Sequence, residues 1–305
     1  MNRLLRASAF FLSGFVAITG MAATMAPDDA SSAPTAAALS RLLDEHTPAA
    51  ERQAIFAAAE RSAVAGDTQW QYIVGSLLSG KTAASPVPSD PGKALVYLSN
   101  AAIHGKILAM AKMAEVELAA GNAQEAMNWA QIYAHYQALP SPDARPAQDY
   151  VSELIARISD KLDSKKLPQV QQDVDSFVAQ NDASIKLGPQ SIDGAPPLHG
   201  PPLVAHRFHQ SSVNPVESLA RPRSSFADYL IAFKPDGTTD RTWQLDIVPD
   251  ARASEILHGL ATTESTRPVT DQQGAHGLRY ALITVIYDDG RYHVRGGHVV
   301  GGQGI

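Results

Sequence analysis

The sequence contains no cysteine and no long run of basic residues, and both absences narrow the possible functions. Without cysteine the chain cannot use disulfides, thiolate nucleophiles, iron–sulfur clusters or cysteine-ligated zinc. Its longest basic run is Lys165–Lys166, in a chain of net charge −6, which argues against a nucleic-acid-binding surface. The 305 residues, 45% of them hydrophobic, are enough for two folded domains.

The sequence also lacks the motifs that mark common active sites. It has no HExxH pattern, and the glycine-rich tail, residues 296–305, lacks the lysine of a phosphate-binding loop. We therefore predict no enzymatic activity, no cofactor and no metal site. A hydrolase or metal-dependent enzyme that uses His206, His209 or His258 remains the third hypothesis.

The first residues have the pattern of an export signal. Arg3 and Arg6 precede an apolar stretch, Ala7–Ala26, that ends in small residues. We predict that residues 1–26 are removed near Ala22–Ala26 and that the rest of the chain is periplasmic or secreted. The alternative is an uncleaved anchor in the inner membrane, since about 20 apolar residues can span a bilayer. We expect residues 27–46 to be a flexible segment.

Residues 47–182 are rich in alanine and divided by glycines and prolines into pieces of helical length. Asp90 followed by Pro91 is typical of a helix start, and Gly105 of a helix end. We predict helix pairs in which small side chains allow close approach.

Self-similar positions recur along these helices. One set is Ala63, Gly66, Gln69, Tyr72, Gly75 and Gly80, followed by Asp90, Lys93, Ala94, Tyr97, Ala101, Ala102 and Gly105. The pattern resembles Sel-one-like repeats, relatives of the tetratricopeptide repeats. The resemblance implies a helical solenoid whose concave groove binds another protein. We predict that exposed aromatic side chains contact this partner: Trp70, Tyr133 and Tyr136.

A different pattern begins after a proline- and glycine-rich linker, residues 183–223. In residues 224–295, Tyr229, Ile231 and Phe233 alternate along a first strand, which predicts a hairpin with one buried face. A second strand, a helix after Asp250 and a last apolar strand, Leu278–Tyr287, complete a small α+β domain of strand–strand–helix–strand order.

That order, with its Pro-Asp-Gly turn after the first strand, resembles the C-terminal domain of TonB-type proteins. The resemblance implies that an extended peptide adds a strand along Leu278–Tyr287. The predicted partner contacts here are Leu278, Tyr280 and Leu282. We also expect that a charge introduced at Ile283 or Val285 unfolds this domain and leaves the helical domain folded.

Together these patterns predict a multidomain chain, an all-α, solenoid-like helical repeat followed by a small α+β domain. The predicted function is an exported, non-enzymatic adaptor or scaffold of the bacterial cell envelope. It would bind proteins or peptides, no nucleic acid, and a membrane only if residues 1–26 stay attached. The alternative is a TonB-like, inner-membrane-anchored energy transducer for outer-membrane transport.

Overall fold

The helices come first in the chain and a small sheet follows. The computed structural model describes residues 33–80, 87–137, 148–188, 200–201, 203–204, 222–268 and 277–287. In these ranges the helical part precedes a three-stranded antiparallel sheet in strand–strand–helix–strand order, so the predicted fold class is confirmed. The predicted signal segment, most of the predicted linker and the glycine-rich tail lie outside the described residues.

Each of the first six helices packs against the next one along the chain, and the eighth packs against the fourth and the sixth. The helices before the sheet are α1 (Ala36–Leu43), α2 (Ala49–Val64), α3 (Thr68–Leu78), α4 (Pro91–Ile103), α5 (Ile107–Ala120), α6 (Ala123–Gln137), α7 (Gln148–Ser159) and α8 (Leu167–Leu187). The Asp90 carboxylate caps α4 by accepting a hydrogen bond of 3.0 Å from the Lys93 amide, as the sequence predicts. Gly75 lets α3 and α4 approach closely, because a β-carbon there would lie 2.8 Å from Leu98 Cγ.

Helix α1 lies in the segment that we expected to be flexible, so that prediction is wrong. Thr35 caps the helix by accepting a hydrogen bond from the Ala38 amide, and Leu39 and Leu42 are fully buried. The apolar residues of α1 recur at helical spacing, but the helix is so short that its pattern is weak. Burial against the rest of the chain supplies the stability that the isolated segment lacks.

The linker also begins later than predicted. Residues 183–187 belong to the last turns of α8, where Ile185 is buried in the core. Beyond it, Leu203 forms an isolated antiparallel bridge with Thr266, and the Val204 amide donates to the Ser265 carbonyl at 2.8 Å. This part of the segment is therefore fixed against the sheet-bearing part of the chain.

The sheet contains β1 (Ser225–Phe233), β2 (Thr239–Val248) and β3 (Arg279–Tyr287), in the order β2-β1-β3. Helix α9 (Ser254–Thr262) covers one face, where it packs with a cluster that includes Tyr229, Ile231 and Phe233. Every residue of β1 is buried. The prediction of a single buried face is therefore wrong, because the other face is buried as well.

The second face of the sheet packs directly on the helices. Phe226 of β1 lies edge-on to Tyr150 of α7 at 5.2 Å between ring centroids, and Leu230 shares a core cluster with Trp70 of α3. By their contacts the described residues from Ala33 onward form one compact unit. The sheet therefore covers a helical surface that a free repeat would leave exposed.

Candidate functional site

A buried cluster of charged and polar groups joins the helices to the sheet. Lys112 of α5 places its ammonium 2.6 Å from Asp228 Oδ2 of β1 and 3.2 Å from Asp246 Oδ2 of β2. It also donates to Ser76 Oγ at 2.6 Å. The side chains of Lys112, Asp228 and Asp246 are each 1% exposed. We call these residues, with Tyr72 and Thr284, the Lys112 cluster.

Hydroxyl groups complete the coordination of the central carboxylate. The Tyr72 hydroxyl donates to Asp228 Oδ2 at 2.6 Å, and the Thr284 hydroxyl donates to Asp228 Oδ1 at 2.5 Å. The Lys112 ammonium lies 4.4 Å from the centre of the Tyr72 ring, within the range of a cation–π contact. The cluster thus draws side chains from α3, α5 and all of the described strands.

Protonation in the cluster follows from burial and charge together. Burial alone would lower the pKa of Lys112, but the carboxylates of Asp228 and Asp246 outweigh it and raise that pKa above its usual value. Burial, with the negative charge of Asp228, raises the pKa of Tyr72 well above its usual value. At neutral pH the cluster holds a charged lysine and a neutral tyrosine.

A second buried network joins α5, α7 and the start of β1. The Glu115 carboxylate accepts hydrogen bonds from the Arg157 guanidinium and, at 3.1 Å, from the Tyr150 hydroxyl. One helical turn before Arg157, Glu153 accepts a hydrogen bond of 3.1 Å from the Ser224 amide. Burial and the nearby Glu115 raise the pKa of Tyr150 well above its usual value. This network fixes the start of the sheet to α7.

These networks have polar groups of catalytic type, but their charged side chains are at most 15% exposed. Lysine, serine and tyrosine at hydrogen-bond distance form nucleophile and base pairs in some enzymes. A catalytic group must reach the reacting atoms of its substrate. Here the Lys112 and Asp228 side chains are each 1% exposed. Both networks have a structural role, because they join the helices to the sheet.

We expect the free energy of unfolding to fall as the pH rises above about 10, because the folded-state pKa values of Tyr72, Tyr150 and Lys112 are raised. Their contribution is complete below the unfolded-state pKa and is lost as the pH rises toward the folded-state value, by up to about 1.4 kcal/mol per pH unit for each group. Urea unfolding at pH 8, 10 and 11 measures this slope. The Tyr72→Phe variant is expected to be less stable at pH 8 and to show a shallower decline. An unchanged slope would contradict the assignment.

The open surface offers a different kind of site, a cleft of about 290 Å³ between α1 and the sheet. We call it the Trp243 cleft. Its floor contains Trp243 of β2 and Tyr280 of β3, whose rings are stacked with centroids 6.5 Å apart and an angle of 29° between their planes. The other lining residues are Ser40, Arg41, Asp44, Asp240, Arg241 and Leu278.

Ion pairs hold one wall of this cleft. Arg241 donates to Asp44 Oδ2 at 3.1 Å, and its guanidinium lies 5.6 Å from the centre of the Trp243 ring. Asp44 also accepts hydrogen bonds from the amide and the ring of His46, which lower its pKa. Leu278, 43% exposed, also lines the cleft. The cleft therefore combines an apolar floor with a polar rim, as small binding sites do.

The three aromatic residues predicted to contact a partner on the helices are buried, so their predicted exposure is wrong. Trp70 is fully buried in the cluster that includes Leu230 of the sheet. Tyr133 lies edge-on to Tyr150 at 6.3 Å, and the Tyr136 hydroxyl donates to Asp182 of α8 at 3.3 Å. The sheet, α7 and α8 cover the faces that an isolated pair of repeats would expose.

The structure places the remaining predicted contacts together at β3. Leu278 and Tyr280 line the Trp243 cleft, and Leu282 packs on the core cluster beneath it. Their role in partner binding stays a prediction. Sequence reasoning did not identify Trp243 and Arg241 as cleft residues, although a tryptophan and an arginine that alternate along a strand were a usable signal.

The described ranges contain neither a candidate metal site nor a candidate membrane-spanning helix. No three His, Asp or Glu side chains converge there in a set that could hold a metal ion. His258 contacts Thr242 Oγ1 at 3.4 Å, and His206 and His209 lie outside the described residues. None of the helices in these ranges combines the length and the hydrophobicity that a bilayer crossing needs.

Comparisons with known proteins assign the chain to no family. No protein-family model matches the chain, and no curated protein matches it. Among solved structures the chain is similar to a protective antigen present in uropathogenic Escherichia coli strains, which displays an SLR fold, with 16% identity and a TM-score of 0.36. The match covers 52% of this chain and 34% of that one, about a third of its length. No comparison supports the TonB resemblance, and the fold assignment rests on the chain's own helix and strand packing.

Proposed function

We propose that this chain is an exported, non-enzymatic protein of the bacterial envelope that binds a partner protein along β3. Among the described strands β3 pairs only with β1, so no other described strand pairs with its outer edge from Leu282 to Ile286. This edge is the observation that carries the proposal. An unpaired strand edge presents backbone N–H and C=O groups that another chain can pair with.

The sequence of β3 suits pairing with another strand, because it has few of the residues that protect an exposed strand edge. Soluble proteins usually blunt an exposed edge with lysine, proline or a bulge. Between Arg279 and Tyr287 there is no proline and no charge other than Arg279 itself, and the register with β1 is continuous. A strand of this kind is suited to accept an added strand.

Part of this edge is already approached by the chain itself. A β-carbon on Gly200 would come within 2.5 Å of the Tyr280 carbonyl oxygen and would overlap Ala281. We therefore expect strand addition further along, from Leu282 to Ile286, while the side chains of Leu278 and Tyr280 stay available in the cleft. The helical groove carries no part of this proposal, because the sheet covers the helical surface around Trp70.

Non-enzymatic function and export are the other parts of the proposal. The lysine, tyrosine and carboxylate groups of the two networks are buried and join the helices to the sheet, which supports a structural role for them. The order of charge, apolar stretch and small residues at the N-terminus supports export.

The proposal is tested in producing cells that carry a photoreactive phenylalanine at Leu278, with the same substitution at Val96 of α4, 60% exposed, as the control. Fractionation is expected to place the chain in the soluble envelope fraction, with an intact mass short by about 22 to 26 residues. Irradiation is expected to yield a defined adduct from Leu278 and none from Val96. A full-length chain in the inner-membrane fraction would favour the anchored alternative.

The partner captured in this way then allows a direct test of the edge. Added to the purified chain, it is expected to slow amide hydrogen exchange in residues 282–286. Slowing confined to the helices, or equal adducts from both positions, would contradict binding at β3.

A further inference from the structure

The backbone of β3 presents alternate residues to its outer edge. The Lys234 amide donates to the Thr238 carbonyl at 2.9 Å, so the backbone groups of Lys234 face the β2 side of the hairpin. Successive residues of a strand direct these groups to opposite sides, which places those of Phe233 on the β3 side. Phe233 pairs with Arg279, and the register between β1 and β3 is continuous. The odd-numbered residues of β3 therefore bond to β1, and the even-numbered ones face outward.

The chain itself covers one of the four outward-facing residues, which are Tyr280, Leu282, Thr284 and Ile286. A β-carbon on Gly200 would lie 2.5 Å from the Tyr280 carbonyl oxygen and 2.6 Å from Ala281 Cα. Only a glycine can approach the strand this closely. An added strand cannot pair with Tyr280 while Gly200 holds this position. We call residues 200–201 and 203–204 the Gly200 strap.

The Gly200 strap occupies the edge without pairing with it. Neither Gly200 nor Pro201 makes a backbone hydrogen bond to a described residue of β3, and proline has no N–H to donate. A partner strand at the same place would bond to the outward N–H and C=O groups of Tyr280. The partner strand would therefore gain hydrogen bonds that the strap does not make.

Few contacts hold the strap in place. The Val204 amide donates to the Ser265 carbonyl at 2.8 Å, and Leu203 forms an isolated bridge with Thr266 and packs with the cluster under α9. By comparison, every residue of β3 is paired with a residue of β1. Segments with few contacts open locally at a low cost in free energy. When space at this edge is contested, we expect the strap to move and β3 to stay.

We propose that the Gly200 strap is an autoinhibitory contact on β3, which a partner strand displaces to extend its pairing from Leu282 to Tyr280. While the strap is in place, pairing is confined to residues 282–286. Once it is displaced, the edge gains one outward-facing residue. This inference rests on the proposed strand addition, and it assigns a regulatory role to the glycine at position 200.

Two variants release the strap in different ways. Gly200→Ala introduces the overlapping β-carbon, whereas Val204→Pro removes the amide donor to Ser265 and adds nothing beside Tyr280. Gly259→Ala is the matched control, because a β-carbon there would meet no atom within 4 Å. Without any peptide, the Val204 amide is expected to exchange faster with solvent in Gly200→Ala than in the parent chain. Urea unfolding of each variant checks that the fold is kept.

The probe is a synthetic peptide of alternating threonine and valine with a lysine at each end, added to the isotopically labelled chain. In the parent chain and in Gly259→Ala, it is expected to shift the backbone amide signals of residues 282–286. In Gly200→Ala and Val204→Pro it is expected to shift that of Tyr280 as well. Binding there is expected to be about two- to tenfold tighter, the net value of one further hydrogen bond. A peptide with proline in place of valine is expected to shift none of these signals.

Failure of this inference differs from failure of the proposed function. If the probe shifts residues 282–286 with equal affinity in the parent chain and in both strap variants, strand addition stands and the strap has no inhibitory role. Weaker binding in both strap variants would also overturn the inference, because the strap would then support the edge. A probe that shifts no signal of β3 in the parent chain or in either variant would contradict strand addition and the inference together.

Discussion

The Lys112→Met variant is expected to lose about 3 to 5 kcal/mol of unfolding free energy, because it leaves two buried carboxylates without their cation. Asp228 and Asp246 are 1% exposed, so water cannot replace the ammonium. Methionine keeps most of the length of the side chain, which limits the loss of packing. Since domains of this kind are stable by only about 5 to 15 kcal/mol, the change is large. Urea unfolding followed by circular dichroism at neutral pH measures it.

Two further variants separate charge from packing. Lys186→Met removes an exposed lysine that pairs with Asp182 at 2.8 Å, and it is expected to cost less than about 1 kcal/mol. The double variant Lys112→Met, Asp228→Asn removes one of the uncompensated charges, so it is expected to recover part of the loss. If the single and the double variant were equally unstable, the lysine stem and not its charge would be responsible.

The Lys112 cluster also shows where prediction from sequence ends. Lys112 interrupts the apolar run of α5, and Asp228 interrupts that of β1, so each position is conspicuous in the sequence. A buried charged side chain needs a partner of opposite charge, so both residues could have been predicted to belong to buried ion pairs. Lys112 and Asp228 are 116 positions apart, and no local pattern indicates which buried charged residue pairs with which.

Local features were predicted more successfully, because their causes are local. The cap of α4 by Asp90 depends on one carboxylate and the next turn of backbone. The order of strands and α9 follows from alternation and helical spacing within about ten residues of each position. The burial of Trp70 could not be predicted in this way, since α3 is covered by a sheet that lies more than a hundred residues further along the chain.

This dependence of the helices on the sheet changes the expected result of a charge in the sheet. Val285 is 5% exposed and belongs to the core between the sheet and α9. An aspartate there would be an unpaired charge among apolar side chains, at an expected cost of at least about 3 kcal/mol. The sequence alone led us to expect that the helices would survive. The structure leads us to expect that they unfold together with the sheet.

The reason is that the sheet contributes to the core of the helical part. If β3 is lost, Thr284 no longer donates to Asp228, and Ile286 no longer packs on the cluster that includes Tyr150. If β1 follows, Lys112 loses a carboxylate, and Tyr150 loses its contact with Phe226. Each step exposes groups in α5 and α7 that are stable only when they are covered.

Hydrogen exchange measured by mass spectrometry distinguishes the two expectations for Val285→Asp. Amides of α5 and of β1 are expected to lose protection together, in one cooperative transition. Val96→Asp makes the same change at a position that is 60% exposed, and it is expected to leave both protected. If β1 exchanged freely in Val285→Asp while α5 kept the protection of the parent chain, the sheet would be an independent domain and the Lys112 cluster would be dispensable for the helices. Joint loss would mean that the surface of this protein available to partners is the surface of one folded unit.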